Sequence, residues 1–346
     1  MNFSNPSLYR LQSRLSRTMS TNLRILSAAH FPSYWPPQGI ATFQPQPLAP
    51  RPYNLIELTT PASFEISEKL YVGKNKWSQV LRGSFKASAK TVYNDVVLKI
   101  YCESLHPRYG EAGNTSPPVP FSRIPSSNVY SHRNTAEIMA WQEAWAYGML
   151  SKLQGGQIPQ FHGVYQVESP ESDETGPCLA VLMSFVEGES IVERCQELWP
   201  AGDILSWNPS TDNADWCRLI RDVYVLTHRI HQLGVAHLDI KDMNIKYHRP
   251  SGSVIFLDFA FSRPSRFETL EEASRHDLKR GLRHDEHCLS GFLLEMCGDS
   301  EVSEESWDTI SQRRAKFALW AIAHCSNEDW YKAFPPGEME ALSKAR

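Results

Sequence analysis

Short stretches that alternate apolar and polar positions dominate residues 63–100. Ser63 to Val72 (SFEISEKLYV), Gln79 to Phe85 (QVLRGSF) and Thr91 to Ile100 (TVYNDVVLKI) mix β-branched and aromatic residues with polar ones, and turn-forming patches separate them. This spacing predicts an antiparallel meander. The period then changes. From Thr135 to Gln154 the apolar residues Ile138, Trp141, Trp145, Met149 and Leu153 mark one helical face, and Gly155-Gly156 supplies a stop. A strand around Phe161 to Gln166, an acidic turn from Glu168 to Glu174 and the apolar run Cys178 to Val186 follow. The expected product is five strands and one helix.

Beyond Glu187 the pattern is mainly helical. Asp212 can cap a helix whose positions Trp216, Leu219, Ile220, Val223, Leu226 and Ile230 recur at 3.6-residue spacing, with Gly234 past its end. Two short strands, Asn244 to His248 and Ser253 to Asp258, flank a Ser251-Gly252 turn. Helical periodicity resumes over Glu268 to Met296 and Glu304 to His324. The proline- and serine-rich run from Glu103 to Arg133 reads as a surface insertion.

The chain has 346 residues and a net charge of −4, so no general basic field exists to hold nucleic acid. Its longest apolar runs, such as Phe317 to Ala323, are far shorter than the roughly 20 residues that span a bilayer. Seven cysteines, an odd number with no CxxC pair, suggest reduced thiols in an intracellular, cytoplasmic or nuclear setting, not a disulfide framework or a zinc site. The head departs from these averages. Up to Ile56 it contains no Asp or Glu, and eight of the 23 prolines fall before Tyr53. Residues 1–61 are therefore read as lying outside the core: a disordered tail, or a targeting segment whose Arg10, Arg14 and Arg17 oppose Leu8, Leu11 and Leu15 as in mitochondrial import signals.

The segment most informative about chemistry is Gly234 to Ser262, GVAHLDIKDMNIKYHRPSGSVIFLDFAFS. A loop of ionisable groups leads into the hairpin, whose far strand ends in Asp258 after four apolar residues. Asp258 would face the loop that carries Asp239, Lys241 and Asn244, and the carboxylates and amide converging there can hold Mg²⁺, a hard ion that takes oxygen ligands and shares them with phosphates. Phosphoryl transfer needs a base for the attacking hydroxyl, metal ligands, and a cation for the nucleotide phosphates. Asp239 fits the first role, Asn244 and Asp258 the second, and Lys99 the third. Lys99 sits inside the apolar strand VVLKI and needs a partner there, which Glu143 of the following helix can supply.

On these residues the chain resembles the protein-kinase superfamily. HLDIKDMN stands where that family has H-R-D-x-K-x-x-N, DFA where it has D-F-G, and VVLK where it has V-A-I-K. DEHCLSGFLLEM from Asp285 is similar to the helix written D-x-W-S-x-G, and Gly73 to Val80 stands in for the glycine-rich loop. The resemblance implies an α+β, two-lobed fold: a five-stranded antiparallel lobe with one helix over residues 62–183, and a mainly helical lobe over 187–346, with ATP between them. It also implies that Gly73, Val80, Lys99, Glu143, Ser184 and Val186 bind the nucleotide. Asp239 would then be the base, Lys241 would steady the transferred phosphate, and Asn244 and Asp258 would hold Mg²⁺.

Departures from the family pattern shape the functional reading. Two of the three loop glycines are replaced by Asn75 and Ser78, Leu238 replaces the catalytic-loop arginine, Ala260 replaces the D-F-G glycine, and no A-P-E follows. Leucine cannot pair with a phosphate, so switching by loop phosphorylation is not expected. The first expectation is a divergent serine/threonine protein kinase using ATP and Mg²⁺ on a hydroxyl-bearing substrate, because Lys241 follows the catalytic aspartate by two residues. A small-molecule kinase of the choline or aminoglycoside type and a pseudokinase scaffold are the alternatives. The histidine pairs His228/His231 and His284/His287 read as structural.

Overall fold

In a computed structural model of the chain, residues 22–30, 58, 62–72, 76–88, 90–103, 136–168, 177–198, 214–264 and 285 are described. They fall into two compact units. The first runs up to Gly148 and resumes over Gln160–Phe185, and the second holds Met149–Pro159 and the described residues from Val186 onward.

The first unit is a closed barrel of six antiparallel strands: β1 (Asn22–Ala29), β2 (Ala62–Tyr71), β3 (Gln79–Lys86), β4 (Val92–Tyr101), β5 (Phe161–Val167) and β6 (Cys178–Ser184). Their order around the barrel is β1-β2-β3-β4-β6-β5. Five of these are legible in the sequence, β6 as an apolar run, and their observed bounds differ from the expected ones by at most two residues. The sixth overturns the expected open five-stranded sheet. Strand β1 lies within the stretch read as a tail. It pairs with β2 at Leu23↔Phe64 and Ile25↔Ala62, and with β5 at Ala28↔Tyr165 and Ala29↔Val164. An open sheet leaves two rows of unpaired N–H and C=O groups at its edges, and β1 satisfies both at once.

The alternation of β1 is the physical reason it can do so. Asn22, Arg24 and Leu26 face solvent, whereas Leu23 and Ile25 join Phe64, Leu81, Phe85, Leu98, Ile100, Tyr165, Val167 and Leu182 in one core. Phe85 and Tyr165 rings meet there at 5.2 Å between centroids. The average composition of this stretch is not that of a core segment, but two inward side chains suffice to seat a strand. Helix α1 (Ala136–Met149) is buried nearly all round, including Trp141, Trp145 and Glu143.

A second correction concerns the thiols. The antiparallel pair Tyr101↔Leu179 sets Cys102 opposite Cys178, with Cα atoms 5.2 Å apart, and the two form a disulfide. The expectation of wholly reduced cysteines came from spacing along the chain, and 76 residues separate this pair.

The second unit is not the mainly helical lobe expected. Its described elements are helices α2 (Ile191–Leu198) and α3 (Ala214–Gln232) among short strands: β7 (Glu189–Ser190), β8 (Val235–Ala236), β9 (Ile245–His248), β10 (Ser253–Phe256) and β11 (Arg263–Pro264). β10-β9-β7 form one small sheet and β11-β8 another. With three helices and eleven strands described, the two-lobed kinase-like fold class does not hold. The expected hairpin at 244–258 is present as β9 and β10, and short strands that the mainly helical pattern does not reveal join it and β8: Glu189 faces Tyr247, and Arg263 faces Ala236. The helical patterns at 268–296 and 304–324 lie outside the described residues, as does most of the insertion at 103–133. No helix among the described residues is long and apolar enough to cross a membrane.

Candidate functional site

Two clusters carry the residues singled out by the sequence, one in each unit. In the barrel, β4 turns Val96, Leu98, Ile100 and Cys102 into the core, so Val97, Lys99 and Tyr101 take the opposite face. There Lys99 Nζ lies 3.1 Å from Glu143 Oε1 of α1, with side-chain exposures of 6% and 0%. Tyr101 donates its hydroxyl to Glu143 Oε2, so both carboxylate oxygens are engaged. Desolvating two ions is costly, and mutual attraction offsets that cost only when the remaining lone pairs are also satisfied. Tyr101 does this, and its ring lies 5.5 Å from Lys99 Nζ. The spacing of VVLKI called for a partner to Lys99 but contained no sign of the tyrosine two residues on.

Val80 of β3 and Val181 of β6 stand opposite Lys99 in register and share its face of the sheet. Ser184 uses its N–H on the Gln160 carbonyl at 2.8 Å, and its Oγ accepts from the Gln160 N–H at 2.9 Å. Its hydroxyl oxygen and amide are thus committed within the barrel. Val186 is half-buried, and Gly73 lies outside the described residues.

The other cluster forms around the loop between β8 and β9. Gly234, at φ +89, lets the chain leave α3 and enter β8. Asp285, fully buried, then accepts the backbone N–H of His237 and of Leu238, each at 2.6 Å, and His231 Nε2 stands 2.9 Å from the same carboxylate. These bonds hold Leu238 at φ 61, a left-handed conformation that leucine adopts only under constraint. His237 Nε2 lies 3.0 Å from the Leu257 carbonyl, and its ring packs on Phe256 and Phe259. The sequence placed Asp285 within a motif without assigning it a contact.

Past Leu238 the chain presents Asp239. Its Oδ2 accepts from Lys241 Nζ at 2.7 Å and from Asn244 Nδ2 at 2.9 Å, and Asn244 Nδ2 also donates to the Asp239 carbonyl at 2.8 Å. A 3₁₀ turn, Asp242–Asn244, brings Asn244 back over the aspartate. The Leu257 N–H donates to the Asn244 carbonyl at 2.8 Å, so the next residue, Asp258, emerges beside this loop. Asp258 sits at φ 63, and its Oδ1 accepts weakly from the Ala260 N–H at 3.4 Å.

Among the described residues, no three His, Cys, Asp or Glu side chains gather as a metal cage. The oxygen donors available at the loop are instead the carboxamide of the buried Asn244, whose nitrogen is committed to Asp239, and the Asp258 carboxylate. One or two hard oxygens completed by water and phosphate suit Mg²⁺ better than an all-protein cage does. Of the histidine pairs, His228 bonds Gln232 at 2.8 Å and His231 serves Asp285, while His284 and His287 lie outside the described residues.

No family model matches the chain, and no curated protein matches it in sequence.

Proposed function

We propose that the protein is an ATP- and Mg²⁺-dependent phosphotransferase acting on a hydroxyl, with a serine or threonine of a protein as the first-choice acceptor. The observation that carries this reading is the Asp239 carboxylate, oriented through a single oxygen by both Lys241 and Asn244. A carboxylate fixed in this way keeps its second oxygen for a substrate hydroxyl, and orienting that hydroxyl is the main task of the base in phosphoryl transfer. Lys241 Nζ supplies positive charge within reach of the same centre, where a transferred phosphoryl group accumulates negative charge. Asn244 and Asp258 would hold Mg²⁺, which neutralises phosphate charge when bound. The Lys99 ammonium, kept in place by Glu143, is the group for the nucleotide's α- and β-phosphates.

The test uses the full-length chain with Mg²⁺ and γ-labelled ATP, offered mixed peptides and then small alcohols, alongside Asp239→Asn. Label on peptides that disappears in the variant supports the reading. Label on small alcohols alone would move the acceptor to that class. Absence of any ATP-dependent rise in melting temperature, with and without Mg²⁺, would overturn both and leave a non-catalytic scaffold.

A further inference from the structure

Strand β4 contains one residue more than its partner needs. Tyr93 pairs with Phe85 and Val96 with Gly83, so the single residue Ser84 on β3 faces both Asn94 and Asp95. This two-for-one bulge is centred on Asp95, which adopts φ 56, a conformation that aspartate tolerates better than most residues. At the same level a Cβ on Gly83 would come within 1.9 Å of the Glu65 carbonyl oxygen, so β3 is pressed against β2 there.

The bulge inverts which side chains face inward. Tyr93 packs against the barrel core. In an unbroken strand Asp95, Val97, Lys99 and Tyr101 would follow it inward, because side chains alternate with period two. The extra residue instead sends Val96, Leu98, Ile100 and Cys102 into the core and leaves Lys99 and Tyr101 to meet Glu143.

Three contacts secure the bulge. The Asp95 carbonyl accepts the Phe185 N–H at 3.0 Å, its Oδ1 accepts Arg82 Nε at 2.6 Å, and the Arg82 guanidinium lies 3.6 Å from the centre of the Phe185 ring. The end of β6 is tied to the same point.

We propose that Asp95 is a positioning residue: its bulge, fastened by Arg82 and Phe185, sets the phase of β4 that aims Lys99 at Glu143. Its consequence for catalysis rests on the phosphotransferase reading, in which Lys99 receives the nucleotide.

The deciding measurement is a double-mutant cycle on the full-length chain, combining Lys99→Met with Asp95→Asn or Asp95→Val and followed by urea unfolding. Asn keeps the left-handed preference, whereas a β-branched residue opposes it. In the Asp95→Asn background, Lys99→Met should shift the midpoint as in wild type, and in the Asp95→Val background the shift should fall by about half or more. Equal shifts in all backgrounds would overturn the proposal. Should Asp95→Val fail to fold, Asp95→Ala serves the same comparison. Alongside, KM for ATP should rise about tenfold in the Val variant and stay within about twofold in the Asn variant, with kcat less affected. A wild-type chain that binds no ATP would sink the phosphotransferase reading, and the unfolding cycle would still decide the role of Asp95.

Discussion

Lys99 and Glu143, 44 residues apart in sequence, form an ion pair buried from solvent on both sides. Lys99→Met leaves the buried Glu143 carboxylate without its countercharge, and the destabilisation should approach the about 3–5 kcal/mol typical of breaking a buried pair. The double substitution Lys99→Met with Glu143→Leu should recover most of that loss, since no charge is then left without a partner. Urea unfolding of the three proteins checks this.

Asp285 is the acceptor for two consecutive amides, that of His237 buried and that of Leu238 partly so. Asp285→Ala should cost roughly 2–6 kcal/mol, at about 1–3 per orphaned N–H. Faster hydrogen exchange at the His237 and Leu238 amides than at those of β9 would identify the cause. Unchanged exchange there would contradict it.

Asp239 is only partly covered, so Asp239→Asn should leave the unfolding midpoint nearly unchanged. If it is the base, kcat should fall about 10²–10⁴-fold. Asn244→Ala should lower both kcat and the unfolding midpoint, because it removes one of the two bonds to the Asp239 carboxylate and the bond to its carbonyl. Steady-state rates and melting curves on the same preparations separate the two effects.

Acid should weaken the chain in two windows. Burial lowers the His162 pKa from 6.5, so between its folded value and 6.5 the unfolded chain binds the extra proton and stability rises with pH. That contribution is complete above 6.5 and is lost as pH falls toward the folded value; His162→Gln should flatten this part of the profile. Glu197, held low by Arg249 and then Arg194, contributes above 4.5 and loses its contribution as pH falls through its folded value. High salt should blunt the second window, whose groups are exposed, more than the first. Urea midpoints from about pH 2 to 8 at two salt concentrations measure both.

The Cys102–Cys178 bridge closes a loop across 76 residues of sequence. Chain entropy assigns such a closure about 4 kcal/mol, so Cys178→Ser should lower the unfolding midpoint. Reductant should lower the wild-type midpoint toward the variant's and leave the variant unmoved.

Local periodicity was enough to find the strands β2 to β6, helix α1 and the β9–β10 hairpin, because alternation and 3.6-residue spacing are properties of neighbours in sequence. The same is true of the Asp239–Lys241–Asn244 loop, whose members lie within six residues. Strand β1 was not found, because its role depends on two distant edges that need a partner, and its own signal is only Leu23 and Ile25. Tyr101, Asp285 and the Cys102–Cys178 pair were missed for the same reason: each acts on a residue far along the chain.

By itself, then, the sequence determined which segments could be strands or helices and which ionisable residues could share a loop, since those follow from side-chain order and spacing. Only the tertiary structure decided that the sheet closes into a barrel and that Lys99 faces Glu143 and not the core. Closure depends on satisfying every edge, and the facing of Lys99 on one extra residue at Asp95; both are settled by pairing between strands, which no single segment encodes.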